Sequence, residues 1–70
     1  MYELLVYRNG KLQYKLYAKA LKYLFKVLSK ERDIGTYEQM YSIMRLYKQW
    51  MAVIDGDTYV IRSVNHEEEK

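Results

Sequence analysis

Apolar residues recur every second position at both ends of the chain and every third or fourth position through its middle, a pattern that predicts strands flanking a pair of helices. In the first sixteen residues Leu4 and Val6 alternate with Glu3, Leu5 and Tyr7, and Leu12, Tyr14 and Leu16 alternate with Lys11, Gln13 and Lys15. Asn9-Gly10 between them offers the two positive-φ positions of a type I′ turn, so this region reads as a hairpin. From residue 17 to 32 the period lengthens, and Tyr17, Leu21, Leu24, Phe25 and Leu28 fall on one side of a helix. Lys11 and Lys15 also fit that helical spacing. A helix begun at Lys11 would swing Leu12 and Leu16 toward the lysine side, so strand up to about residue 16 is preferred.

Asp33-Ile34-Gly35 breaks the helix, with Gly35 able to take the left-handed conformation that ends it. Thr36-Tyr37-Glu38-Gln39 fits a capping box and opens a second helix, expected at 37–48. Its apolar arc is Tyr37, Met40, Tyr41, Ile43, Met44 and Tyr47, with Glu38, Ser42, Arg45 and Gln49 outside it. Residues 50–54 and 58–64 then form a second hairpin about Asp55-Gly56. The order ββααββ describes a small single α+β domain over residues 1–64. Residues 65–70 hold three consecutive glutamates and too little apolar surface to bury, and are expected to be a disordered acidic tail.

A chain of 70 residues buries only about 60% of the surface of its unfolded form, and the usual remedies for so small a core are missing. There is no cysteine, and a single histidine offers no structural zinc site. An apolar content of 50% with nine tyrosines remains, or burial against a partner, which brings in a homodimer. No opening stretch has the order of a signal peptide, and the longest purely apolar run, residues 50–54, is far too short to cross a membrane. A cytoplasmic protein without membrane contact is expected. Zero proline, few alanines and glycines, and abundant Lys, Tyr and Ile resemble what A+T-rich codons encode, which points to a bacterial or phage origin and supplies a bland cause for both lysine and tyrosine enrichment.

The net charge of +3 is unevenly spread: residues 1–32 carry +6 and residues 33–70 carry −3. Lys11, Lys15, Lys19, Lys22, Lys26 and Lys30 are spaced 4, 4, 3, 4 and 4. Lys15, Lys19, Lys22, Lys26 and Lys30, with Arg8, are therefore the candidate surface for a polyanion or an acidic partner. A solvated helix face explains the same spacing, although such faces commonly mix signs and this one has no acid before Glu31. Tyr7, Tyr23 and Tyr41 lie at the edges of the apolar arcs, where they would cap the core or stack on unpaired bases. The two helices followed by a hairpin also suggest a helix-turn-helix pair with a hairpin wing, in which Gln39, Ser42, Arg45 and Lys48 would face outward on the reading helix. An ordinary αα-hairpin is the simpler account of that connection.

No serine has a histidine partner, His66 lies in the tail, and Asp55 and Asp57 are explained by their turn, so no acid, base and nucleophile set assembles. His66 with Glu67, Glu68 and Glu69 offers a divalent ion no fixed geometry. The expectation is a non-enzymatic binding or accessory protein without cofactor or metal, acting through protein–protein docking, with a nucleic-acid-binding module as the alternative. Met40, Met44, Met51 and Trp50 supply adaptable apolar side chains for an interface as well as a core.

Overall fold

Both hairpin turns form where two consecutive residues accept positive φ: Asn9 (54°) with Gly10 (80°), and Asp55 (52°) with Gly56 (85°). A computed structural model describes residues 1–64 as β1 (Tyr2–Arg8), β2 (Lys11–Ala18), α1 (Leu21–Ser29), α2 (Tyr37–Tyr47), β3 (Gln49–Ile54) and β4 (Asp57–Ser63). The expected acidic tail lies outside the described residues. The strands make one antiparallel sheet in the order β2-β1-β4-β3, so the two hairpins join through their inner strands, with Leu4 opposite Ile61 and Val6 opposite Tyr59. This is the ββααββ α+β domain that the pattern predicts.

Both helices pack on one face of the sheet. Leu4, Val6, Trp50, Tyr59 and Ile61 from the strands meet Leu21, Leu24, Leu28, Met40 and Met44 from the helices in a single buried cluster. Across the opposite face run three rows set by the strand register: Leu12, Tyr7, Thr58 and Val53; Lys15, Leu5, Val60 and Met51; Tyr17, Glu3, Arg62 and Gln49. No described element covers that face. Leu5, in the middle of the central row, is nevertheless buried by its neighbours.

Three expectations are corrected. α1 begins at Leu21, four residues later than the periodicity suggests, because Tyr17 and Ala18 continue β2 opposite Glu3 and Tyr2, where the Tyr17 hydroxyl donates to the Glu3 carboxylate at 2.9 Å. α1 also stops at Ser29, well before Gly35. The chain there turns on amides of Glu31 and Arg32 that donate to the Leu28 carbonyl, and Arg32 is drawn back to the sheet by Asp55 and Asp57. Finally, Leu12 does not share a face with Tyr14 and Leu16. A bulge in β2 shifts the register between Val6 and Tyr7, setting Leu12 opposite Tyr7, since one extra residue moves a side chain to the other side of a pleated strand. α2 follows its expected course to within one residue: Thr36 and Gln39 make the reciprocal capping box, and Lys48 at φ 62° ends the helix in the left-handed region.

Candidate docking surface

The apolar arc on α2 is wider than the stripe the sheet can cover. Met40 and Met44, four apart, enter the core and Tyr37 packs at its margin, whereas Tyr41, Ile43, Leu46 and Tyr47 remain exposed. A helix on the edge of a sheet meets it along one line, so the residues one step to either side lose their cover. The next strand adds to the surplus. β3 alternates across the sheet, burying Trp50 and leaving Met51 and Val53 on the opposite, open face. Leu46 is 74% exposed, Tyr47 71%, Val53 67% and Met51 56%, the largest values among the exposed large apolar residues. Between α2 and β3 lies an open groove of about 650 Å³, with Ile34, Ile43, Trp50 and Met51 among its walls. Leu46 stands one turn further along the same helix, beside Ser42 and Arg45.

The charged candidates do not gather on one surface. Lys22 and Lys26 project from α1 and Lys30 caps its end, while Lys19 precedes the helix. Lys15 sits on the uncovered sheet face opposite Leu5 and close to Glu3, away from both helices. Lys22 holds its ammonium 5.7 Å from the centre of the Tyr37 ring. Three of the four arginines are held by carboxylates of the protein itself. Arg8 grips Asp57 through Nε and Nη2 at 3.0 and 3.2 Å, and Arg32 reaches the same carboxylate, Asp55 and the Tyr59 hydroxyl. On the other face Arg62 donates to Glu3 at 2.6 Å.

Glu3 and Asp57 are buried, and burial alone would raise their pKa values. The hydrogen bond from Arg62 outweighs it at Glu3 and that from Arg8 outweighs it at Asp57, so both carboxyls titrate below the ordinary carboxylate range. These pairs fasten the ends of the sheet: Glu3 with Arg62, and Arg8 with Asp57, are directly opposite one another on β1 and β4. Among the described residues no group of three potential metal-ligating side chains forms.

The proposed reading-helix residues are likewise divided. Gln39 spends its amide oxygen on the Thr36 backbone N–H at 3.1 Å, and borders the α2–β3 groove with Ser42. Arg45 and Lys48 line a second cleft, with Tyr2 and Ser63, at the other flank of α2. The C-terminal hairpin is no projecting wing, because β4 is an inner strand paired on both sides. Of the tyrosines singled out, Tyr7 is half-buried on the uncovered sheet face, whereas Tyr23 and Tyr41 are exposed. Met40, Met44 and Trp50 serve the core, leaving Met51 of that group on the surface. Leu46 was not separable from core leucines by composition; its position between Arg45 and Tyr47, off the Met40–Met44 line, is the signal that marks it. No protein-family model matches this chain, and comparison with curated proteins and with solved structures finds no significant match.

Proposed function

We propose that this protein is a small non-enzymatic docking module that binds another protein through the outer side of α2 and the adjoining strand β3. The observation that carries the reading is the exposure of Leu46 and Tyr47 on α2, next to an open groove walled by Ile43, Trp50 and Met51. Aromatic and methionine side chains of this kind are what protein interfaces enrich. The rival reading, a polyanion surface, has less behind it. It needs lysines aligned along one groove, and here Lys15 lies across the sheet from Lys22 and Lys26 while Arg8 is committed to Asp57.

Affinity capture with variants tests this reading. Leu46→Glu with Tyr47→Glu, both at well-exposed positions, should keep the fold and lose the captured protein. Lys19, Lys22 and Lys26 changed together to Gln should keep it, Gln preserving helix propensity. The opposite result, with retention on heparin beyond physiological salt that the lysine variant abolishes, would overturn the proposal in favour of nucleic acid.

A further inference from the structure

The two outer strands of the sheet are built differently. β2 carries Lys11 and Lys15, is followed by Lys19, and is interrupted by a bulge, all devices that discourage another strand from adding to it. β3, with the sequence QWMAVI, has no charge, proline, glycine or register shift. Which of its backbone groups face away from β4 follows from the hairpin. A two-residue type I′ turn makes Ile54 and Asp57 a hydrogen-bonded pair, and alternation continues that role to Ala52, Trp50 and Lys48, whose carbonyl accepts from Ser63 N–H at 3.2 Å. The amides and carbonyls of Met51 and Val53 therefore point outward, and their side chains are largely exposed.

We infer that β3 pairs antiparallel with β3 of a second copy, with Ala52 on the two-fold axis, to make one continuous eight-stranded sheet. This rests on the reading of the α2–β3 side as a docking surface. The strand is self-complementary in that register: Met51 stands opposite Val53 of the second copy with their outward backbone groups matched, and Trp50 stands opposite Ile54 on the helix side. Each apolar residue meets another, in both halves. Charge selects the same edge. In the order β2-β1-β4-β3 the basic strand β2 is furthest from β3, so pairing through β3 keeps the lysines at the two outer ends, whereas pairing through β2 would set like charges against each other. The same two-fold runs the α2 helices antiparallel, bringing the Glu38 end of one toward the Arg45 and Lys48 end of the other. A second copy also supplies the extra burial that a chain without disulfides needs.

Sedimentation of the full chain at micromolar concentration, with three variants, tests this. The native protein should be a dimer. Met51→Lys, and separately Val53→Lys, should weaken it by at least about tenfold by giving β3 the protection β2 already has. Leu12→Lys, at the far end of the uncovered sheet face, should leave it intact; a dimer formed by stacking those faces would instead lose stability with Leu12→Lys. Ala52→Cys places the chain's sole thiol on the axis in a non-hydrogen-bonded pair, where Cα separations of about 4.5 Å suit a disulfide, and mild oxidation should link the copies. A native monomer, a dimer indifferent to both edge lysines, or a dimer in which Ala52→Cys does not cross-link would overturn the inference. Loss of the captured protein by the Leu46→Glu, Tyr47→Glu variant is read separately, so a native monomer that still loses it in that variant rejects the dimer alone, and one that keeps it rejects both.

Discussion

At the scale of single residues, what organises this sheet is a pair of buried carboxylates. Glu3 and Asp57 stand at opposite ends of the β1–β4 pairing and on opposite faces of the sheet, each opposite an arginine. Because their pKa values are lowered on folding, the unfolded chain binds more protons in acid, and stability must rise with pH through that range. The contribution is complete above the ordinary carboxylate pKa and is lost as pH falls below about 4. Glu3→Gln keeps the shape and removes the charge. Its thermal midpoint should lie below that of the native protein at pH 7, and the two should converge as the solution is acidified. An unchanged gap at pH 2 to 3, set as the experimental limit by the carboxylate range, would mean that packing and not charge holds Glu3 in place.

Among the elements, α2 is the most fully specified by its local sequence. Thr36 Oγ1 accepts from Gln39 N–H at 3.2 Å and the Gln39 amide returns the bond, while Gly35 at φ 90° lets the chain enter the helix. A Cβ added at Gly35 would lie 2.6 Å from Gln39 Oε1 as well as in a backbone region hostile to side chains. Gly35→Ala should therefore cost about 1–2 kcal/mol for the backbone alone, and the loss of the cap about 1 more. Chemical denaturation checks the total. Gly56→Ala, with open space around the added methyl, should show only the backbone part, so near-equal losses at the two glycines would refute the role given to Gln39.

For the whole molecule the helix layer and the sheet share one thin core, and Leu4, Leu24, Leu28, Met40 and Ile61 are its fully enclosed members. Leu24→Ala removes a side chain that joins α1 to the sheet. The expected cost is about 2–5 kcal/mol, a large part of the stability available to a domain of this size, so a substantial unfolded fraction should be visible by circular dichroism without denaturant. Conversely, Leu46→Glu, beyond the core line, should move the midpoint little. Equal effects would show that the outer side of α2 is packed against something within the chain and is not a docking surface.

The turns, the strand and helix types and their order could be read directly from the sequence, because those depend on neighbours within four residues: Asn9-Gly10 and Asp55-Gly56 for the hairpins, Thr36 to Gln39 for the cap, Met40 and Met44 for the buried line of α2. Tyr17 could not be assigned that way. It satisfies the helical period with Leu21 and Leu24, and only its register opposite Glu3 makes it a strand residue. The lysine spacing misled for the same reason, since residues four apart align on a helix but Lys15 and Lys22 belong to different elements on different sides of the sheet. The surplus apolar residues of α2 and the place of β3 as an outer strand among the described residues likewise exist only once the strand order is known. Periodicity records which residues are apolar; strand order and register determine which of them so small a fold has room to cover.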